Sequence, residues 1–134
     1  MLIRLLALAL ALAQPTFSGE WVLARAENAT ASAQTINVQQ TERIIEIERH
    51  VAGSVEKQSY IIGMVGGIVG GRVGEQPISQ DRFGVRWDGE VLVIERSNLS
   101  ETRIETWAME GGRLKIMLTL NGKPPATLWY RRKK

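Results

Sequence analysis

The chain has no cysteine among its 134 residues. That excludes disulfide stapling, thiol nucleophiles, thiolate metal sites and a lipid anchor on a cysteine. It has one histidine, His50, so no multi-histidine metal centre can form. Its aspartates are two, Asp81 and Asp88, and the second stands beside a glycine at a turn. Aromatic residues make up 6% of the sequence, and charges of both signs are interspersed, so there is no basic stripe of the kind nucleic acid requires. No Gly-x-Ser-x-Gly, His-Glu-x-x-His or phosphate-loop spacing occurs. Glu46 and Glu48 lie two apart, but alternating exposed glutamates on a strand explain them better than a pair of catalytic acids. These absences point to a protein that binds or holds, without cofactor or metal, and away from an enzyme. Long apolar runs are also missing, since a membrane-spanning helix needs about 20 residues.

The N-terminus supplies the main compartment signal. Arg4 is followed by alternating leucine and alanine over 5–12, and Ala11-Leu12-Ala13 has the small-x-small pattern of a cleavage site. We expect residues 1–13 to be a signal peptide and 14–134 a single domain, exported to a bacterial periplasm or secreted. An exported domain without disulfides stands on its hydrophobic core alone. The formal net charge is +3. The one concentrated run of charge is Arg131-Arg132-Lys133-Lys134, which suits solvation or weak contact with a membrane surface.

From residue 17 onward, short alternating runs are separated by turn residues. Nine segments read as strands: 17–23, 34–39, 43–49, 55–62, 81–87, 90–96, 103–109, 113–120 and 126–132. The best helical window, 24–33, is alanine-rich and polar and lacks an apolar face. Asp88-Gly89, Gly111-Gly112 and Asn121-Gly122 are hairpin signals, because the mirror-image turns need positive φ. Three in succession predict an up-and-down meander, which closes most simply into an antiparallel β-barrel of about eight or nine strands. Phe83 and Val85 share one face of their strand, and Leu118 and Leu128 fall on the apolar faces of theirs. These four are the candidate lining of the barrel interior.

Gly19-Glu20-Trp21 on the first strand resembles the Gly-x-Trp of the lipocalin and fatty-acid-binding (calycin) families. So do Trp87-Asp88-Gly89, Glu105-Thr106-Trp107 and a Tyr-Arg-rich last strand, as found in small secreted bacterial lipocalin-like domains. The resemblance implies that Gly19, Trp21 and an arginine plug one end of the barrel. That arginine is Arg131 or Arg132, with Arg131 the candidate. It also implies carriage of a small apolar molecule; the other reading is a structural module whose barrel is filled by its own side chains.

One segment, IIGMVGGIVGG at 61–71, fits several structures. It is too short to span a bilayer as a helix. We read it as a mobile rim loop carrying Gly63, Gly66, Gly67, Gly70 and Gly71; a short extra hairpin and an association helix are the alternatives.

The cleavage pattern makes a direct prediction. The mature exported protein should begin near Gln14, as N-terminal sequencing of the soluble exported fraction would show; an intact Met1 there would reject the signal peptide.

Overall fold

Ile36 and Val38 on one strand, and Ile45 and Ile47 on the next, are buried, while Gln39 and Glu46 between them are exposed. This period of two recurs along the chain and produces a sheet with one dry face. The structure, a computed structural model, describes residues 14–29, 32–68, 72–73, 76–77 and 81–134. The expected signal peptide, 1–13, lies outside the described residues.

The strands are β1 (Gly19–Glu27), β2 (Thr35–Gln40), β3 (Ile44–Val51), β4 (Ser54–Ile61), β5 (Val65–Ile68), β6 (Arg72–Val73), β7 (Gln76–Pro77), β8 (Asp81–Asp88), β9 (Val91–Ser97), β10 (Thr102–Glu110), β11 (Arg113–Leu120) and β12 (Ala126–Arg132). All nine expected strands are present. Ten strands form one antiparallel sheet in the order β4-β3-β2-β1-β12-β11-β10-β9-β8-β5, and β6 and β7 pair separately. There is no helix among the described residues, and so none long and apolar enough to cross a membrane.

The meander is closed at one seam by the chain's two ends, β1 on β12. At the other seam β4 and β5 are not paired with each other. There Tyr60 of β4 meets Phe83 of β8 edge-on at 5.4 Å, and the Gly63 N–H donates to the Val85 carbonyl at 2.6 Å. The barrel is nearly closed, and only a short length of edge is left open.

The glycine-rich segment departs from its expected role. Gly66 and Gly67 do not form a rim loop: they sit within β5, opposite Phe83 and Arg82 of β8. A strand pairs through its backbone, so glycines can hold an edge position at the cost of conformational entropy. Gly63 is in the preceding turn with φ 89°, while Gly70 and Gly71 lie outside the described residues. Two turns also shift. The β8–β9 turn falls on Gly89 and Glu90, one residue later than expected. Asn121-Gly122 opens a longer loop, 121–125, and the Asn121 Oδ1 accepts from the Thr102 N–H at 2.8 Å.

One end of the barrel is sealed by aromatics. Trp21 is fully buried and donates its indole N–H to the Phe17 carbonyl at 2.9 Å. Phe17 stacks on Trp87 at 5.9 Å and meets Trp107 edge-on at 5.7 Å. The arginine over Trp21 is Arg132, 4.4 Å from the ring centroid, and its guanidinium also donates to the Ser18 carbonyl. Arg131, the expected plug, is exposed on the outer face opposite Val22. Strand alternation decides this, since Tyr130 and Arg132 share the inward face. Gly19 has φ 136°, and a Cβ there would lie 2.7 Å from Arg132 Nη1. The glycine of Gly-x-Trp thus makes room for the arginine.

Trp21→Ala should cost about 3–5 kcal/mol, the usual loss for a buried aromatic. Arg132→Ala should cost about 1–2 kcal/mol of cation–π attraction and packing, and Arg131→Ala close to nothing. Urea unfolding of the three variants tests this ordering; equal effects at 131 and 132 would contradict the placement.

Candidate functional site

The β-strand register carries charge into the barrel. β3 alternates Ile45, Ile47, Arg49 on its buried face, and β10 alternates Arg103, Glu105, Trp107 on its inward face. Arg49 and Glu105 meet inside, with Nη2 and Oε1 3.0 Å apart, and both side chains are buried. The same Oε1 accepts the Trp107 indole N–H at 3.1 Å, and the Arg49 guanidinium lies 5.9 Å from the Trp107 ring centroid. Arg103 Nε approaches Glu105 Oε2 at 3.5 Å.

Burial by itself would push the Glu105 carboxyl up, but Arg49, then Arg103, with hydrogen bonds from Arg49 and Trp107, hold it below its ordinary value. Burial works against the charge on Arg49 as well, and Glu105 more than restores it. Tyr60 is pushed up mainly by burial, and Tyr130 rises to about 12 for the same reason. The pair is therefore ionised and locked at neutral pH.

Donors remain unused beside it. Arg49 Nε and Arg103 Nε are buried without a hydrogen-bond partner. With Arg96, Glu56, Glu105, Tyr60, Gln58 and Ile94 they border a cavity of about 10 Å³, room for roughly one water. Arg96 stands opposite Arg103 across β9 and β10. The two arginines also line a cleft of about 210 Å³ that reaches the β9–β10 turn at Ser97, Asn98 and Glu101. Three guanidinium groups thus converge on the mouth of the barrel. Arginines directly opposite each other in a sheet repel, an arrangement that an anion between them would relieve.

The four expected lining residues are placed on the apolar side of this arrangement. Val85 and Leu128 are buried in the core, and Phe83 and Leu118 are half-buried. None of them borders the cavity by the arginines. The described residues of the β1–β2 connection, 28–29 and 32–34, lie at the open end. Ala33 is buried there, and its carbonyl accepts the Tyr130 hydroxyl at 2.9 Å. On the opposite, outer face of β2–β4, a polar groove of about 360 Å³ is bordered by Asn37, Gln39, Glu46, Glu48, Lys57 and Ser59. His50 is exposed beside it and lies 3.0 Å from Glu48.

Sequence reasoning missed Arg49 and Glu105. Both were in phase with buried neighbours, Arg49 after Ile45 and Ile47, and Glu105 two before Trp107.

The architecture has known counterparts. A REP1-NXSQ fatty acid transporter superposes with a TM-score of 0.70 at 16% identity, covering 87% of this chain and 96% of that one. Fatty-acid-binding protein 1 of Echinococcus granulosus gives 0.69 at 12% identity, over 88% of this chain and 98% of that one. The Schistosoma mansoni fatty acid binding protein in complex with arachidonic acid gives 0.68 at 14% identity, over 88% and 96%. The barrel is of the calycin type. At these identities the likeness shows the fold, and the sequence matches no family model and no curated protein.

Glu105→Gln should destabilise the protein by about 3–5 kcal/mol, because it strands the buried Arg49 charge. Replacing both partners, as Arg49→Met with Glu105→Leu, should recover most of that loss. The folded-state carboxyl is more acidic than the unfolded one, so its stabilisation is complete above the ordinary carboxylate range and is lost as pH falls through the folded value. Denaturant melts from neutral pH downward should show this acid loss in the wild type and a weaker one in Glu105→Gln.

Proposed function

We propose that this chain is an exported bacterial binding protein that holds a small apolar molecule with an anionic head in its barrel. The observation that carries this reading is the pair of buried guanidinium N–H groups without a hydrogen bond, on Arg49 and Arg103, at the described cavity that touches three arginines. A carboxylate or similar head would receive charge-assisted hydrogen bonds there, and the apolar body would lie along the Phe83, Val85, Leu118 and Leu128 side. The neighbours whose names specify fatty acids support the same chemical class. Export rests on the leucine–alanine run ending in Ala11-Leu12-Ala13, and the bacterial reading on the absence of cysteine in an exported domain. A binding role suits the site better than catalysis, because the shifts of Glu105 and Tyr60 move both groups away from neutral pH.

The size of the inner cavity favours a second reading. A ligand pocket typically encloses about 300–1,000 Å³. The space beside the arginines is about 10 Å³, so a ligand body must displace side chains that now fill the interior. If nothing does, the barrel is a self-filled interaction module.

Native mass spectrometry of the protein from its own host, with titration of the anionic probe anilinonaphthalenesulfonate, separates the two. A retained acidic amphiphile, with probe affinity falling about tenfold or more in Arg103→Met, is expected for the binding protein. No adduct and no probe uptake would establish the filled barrel instead.

A further inference from the structure

The formal net charge of the chain is +3, and the fold gathers this excess on one part of the outer wall. β11 and β12 pair in the register Leu114↔Tyr130 and Lys115↔Trp129. Extending that register sets Arg113 opposite Arg131 on the outward face, one row from Lys115 and Trp129. Both arginines are exposed, and neither has an ion-pair partner among the described residues. Lys133 and Lys134 follow directly, also exposed. Two carboxylates answer them: Glu110 at 3.2 Å from Lys115 and Glu20 at 3.5 Å from Lys133. Five cations face two carboxylates, an excess equal to the formal charge of the whole chain.

Trp129 lies at the centre of this patch. It is half-buried on the outer face, with the Lys115 ammonium 4.8 Å from its ring centroid and Arg25, ion-paired to Glu27, opposite it on β1. An indole on the outer wall contributes nothing to the barrel core, and arginine facing arginine costs stability in a sheet. Indole among cations is the composition that meets lipid headgroups, where the ring sits at the interface and the cations answer anionic phosphates. The clefts described above all lie elsewhere, so the patch presents an open wall, suited to a surface more than to an inserted peptide.

We propose that the outer wall formed by Arg113, Lys115, Trp129, Arg131 and Lys133 docks the barrel on an anionic lipid surface. Arg131 therefore belongs to this wall, in company with two cations from β11 that are distant in sequence. The proposal is independent of what the barrel holds, because none of these residues borders the inner cavity.

The test is co-sedimentation of the full chain with vesicles of phosphatidylcholine alone or of phosphatidylcholine with equimolar phosphatidylglycerol. The protein should bind the anionic vesicles at low ionic strength, ignore the neutral ones, and release as salt shortens electrostatic range. The double variant Arg113→Glu/Arg131→Glu should lose at least tenfold in partitioning, at about fivefold per cation, while its thermal melt stays unchanged. Trp129→Leu should weaken binding without changing its salt dependence. Equal binding to neutral vesicles, or full binding by the double variant, would overturn the proposal. Binding to polyglutamate as tight as to anionic vesicles would also overturn it, in favour of an acidic polypeptide partner.

Discussion

The Arg49–Glu105 ion pair joins β3 to β10 through the barrel interior, and much of the remaining arrangement depends on it. Each charge loses its water on burial, and each is tolerable only because the other is within 3.0 Å. The pair holds together strands that are not neighbours in the sheet. It also aims Trp107 through a shared carboxylate oxygen, and Trp107 in turn supports Phe17 in the aromatic seal. On the other side of Glu105, Oε2 draws Arg103 Nε to 3.5 Å without closing a hydrogen bond, and Arg49 Nε also lacks one. A sealed apolar end and a cationic open end thus meet at one ion pair.

Much of this architecture was legible in the sequence. Alternating runs and hairpin dipeptides located nine strands, because period-two burial is a local property written directly into residue order. The motifs around Trp21, Trp87 and Trp107 pointed to a calycin-type barrel, and in the fold these residues, joined by Phe17, do form one aromatic seal. What escaped depended on partners distant in the chain. β5 escaped because glycine carries no side-chain pattern, and its strand identity comes only from β8. The choice between Arg131 and Arg132 required the inward phase of β12, which a one-residue slip would reverse. The Arg49–Glu105 pair escaped because sequence does not show that two strands distant in the chain put them face to face.

The barrel shares its fold with fatty-acid-binding proteins. Where the chain enters β2 it is tied by hydrogen bonds from the Leu23 N–H to the Gln34 carbonyl and from the Gln34 N–H to the His50 carbonyl, beside the buried Ala33. That alanine takes space that would otherwise be open, and the Tyr130 hydroxyl fixes it there.

The pairing of β1 with β12 has a consequence for the order in which the molecule assembles. Most other neighbours in the sheet are joined by short connections and can zip as soon as they exist. The first strand acquires its second partner only from the last, with Ser18 and Arg132 in contact 114 residues apart. Bringing those ends together carries the largest loop-closure cost in the sheet, and contacts of such long range are the slow ones. Until the final strand is available, Trp21 lacks its arginine and β1 has a bare edge, so a partly made chain cannot lock itself shut.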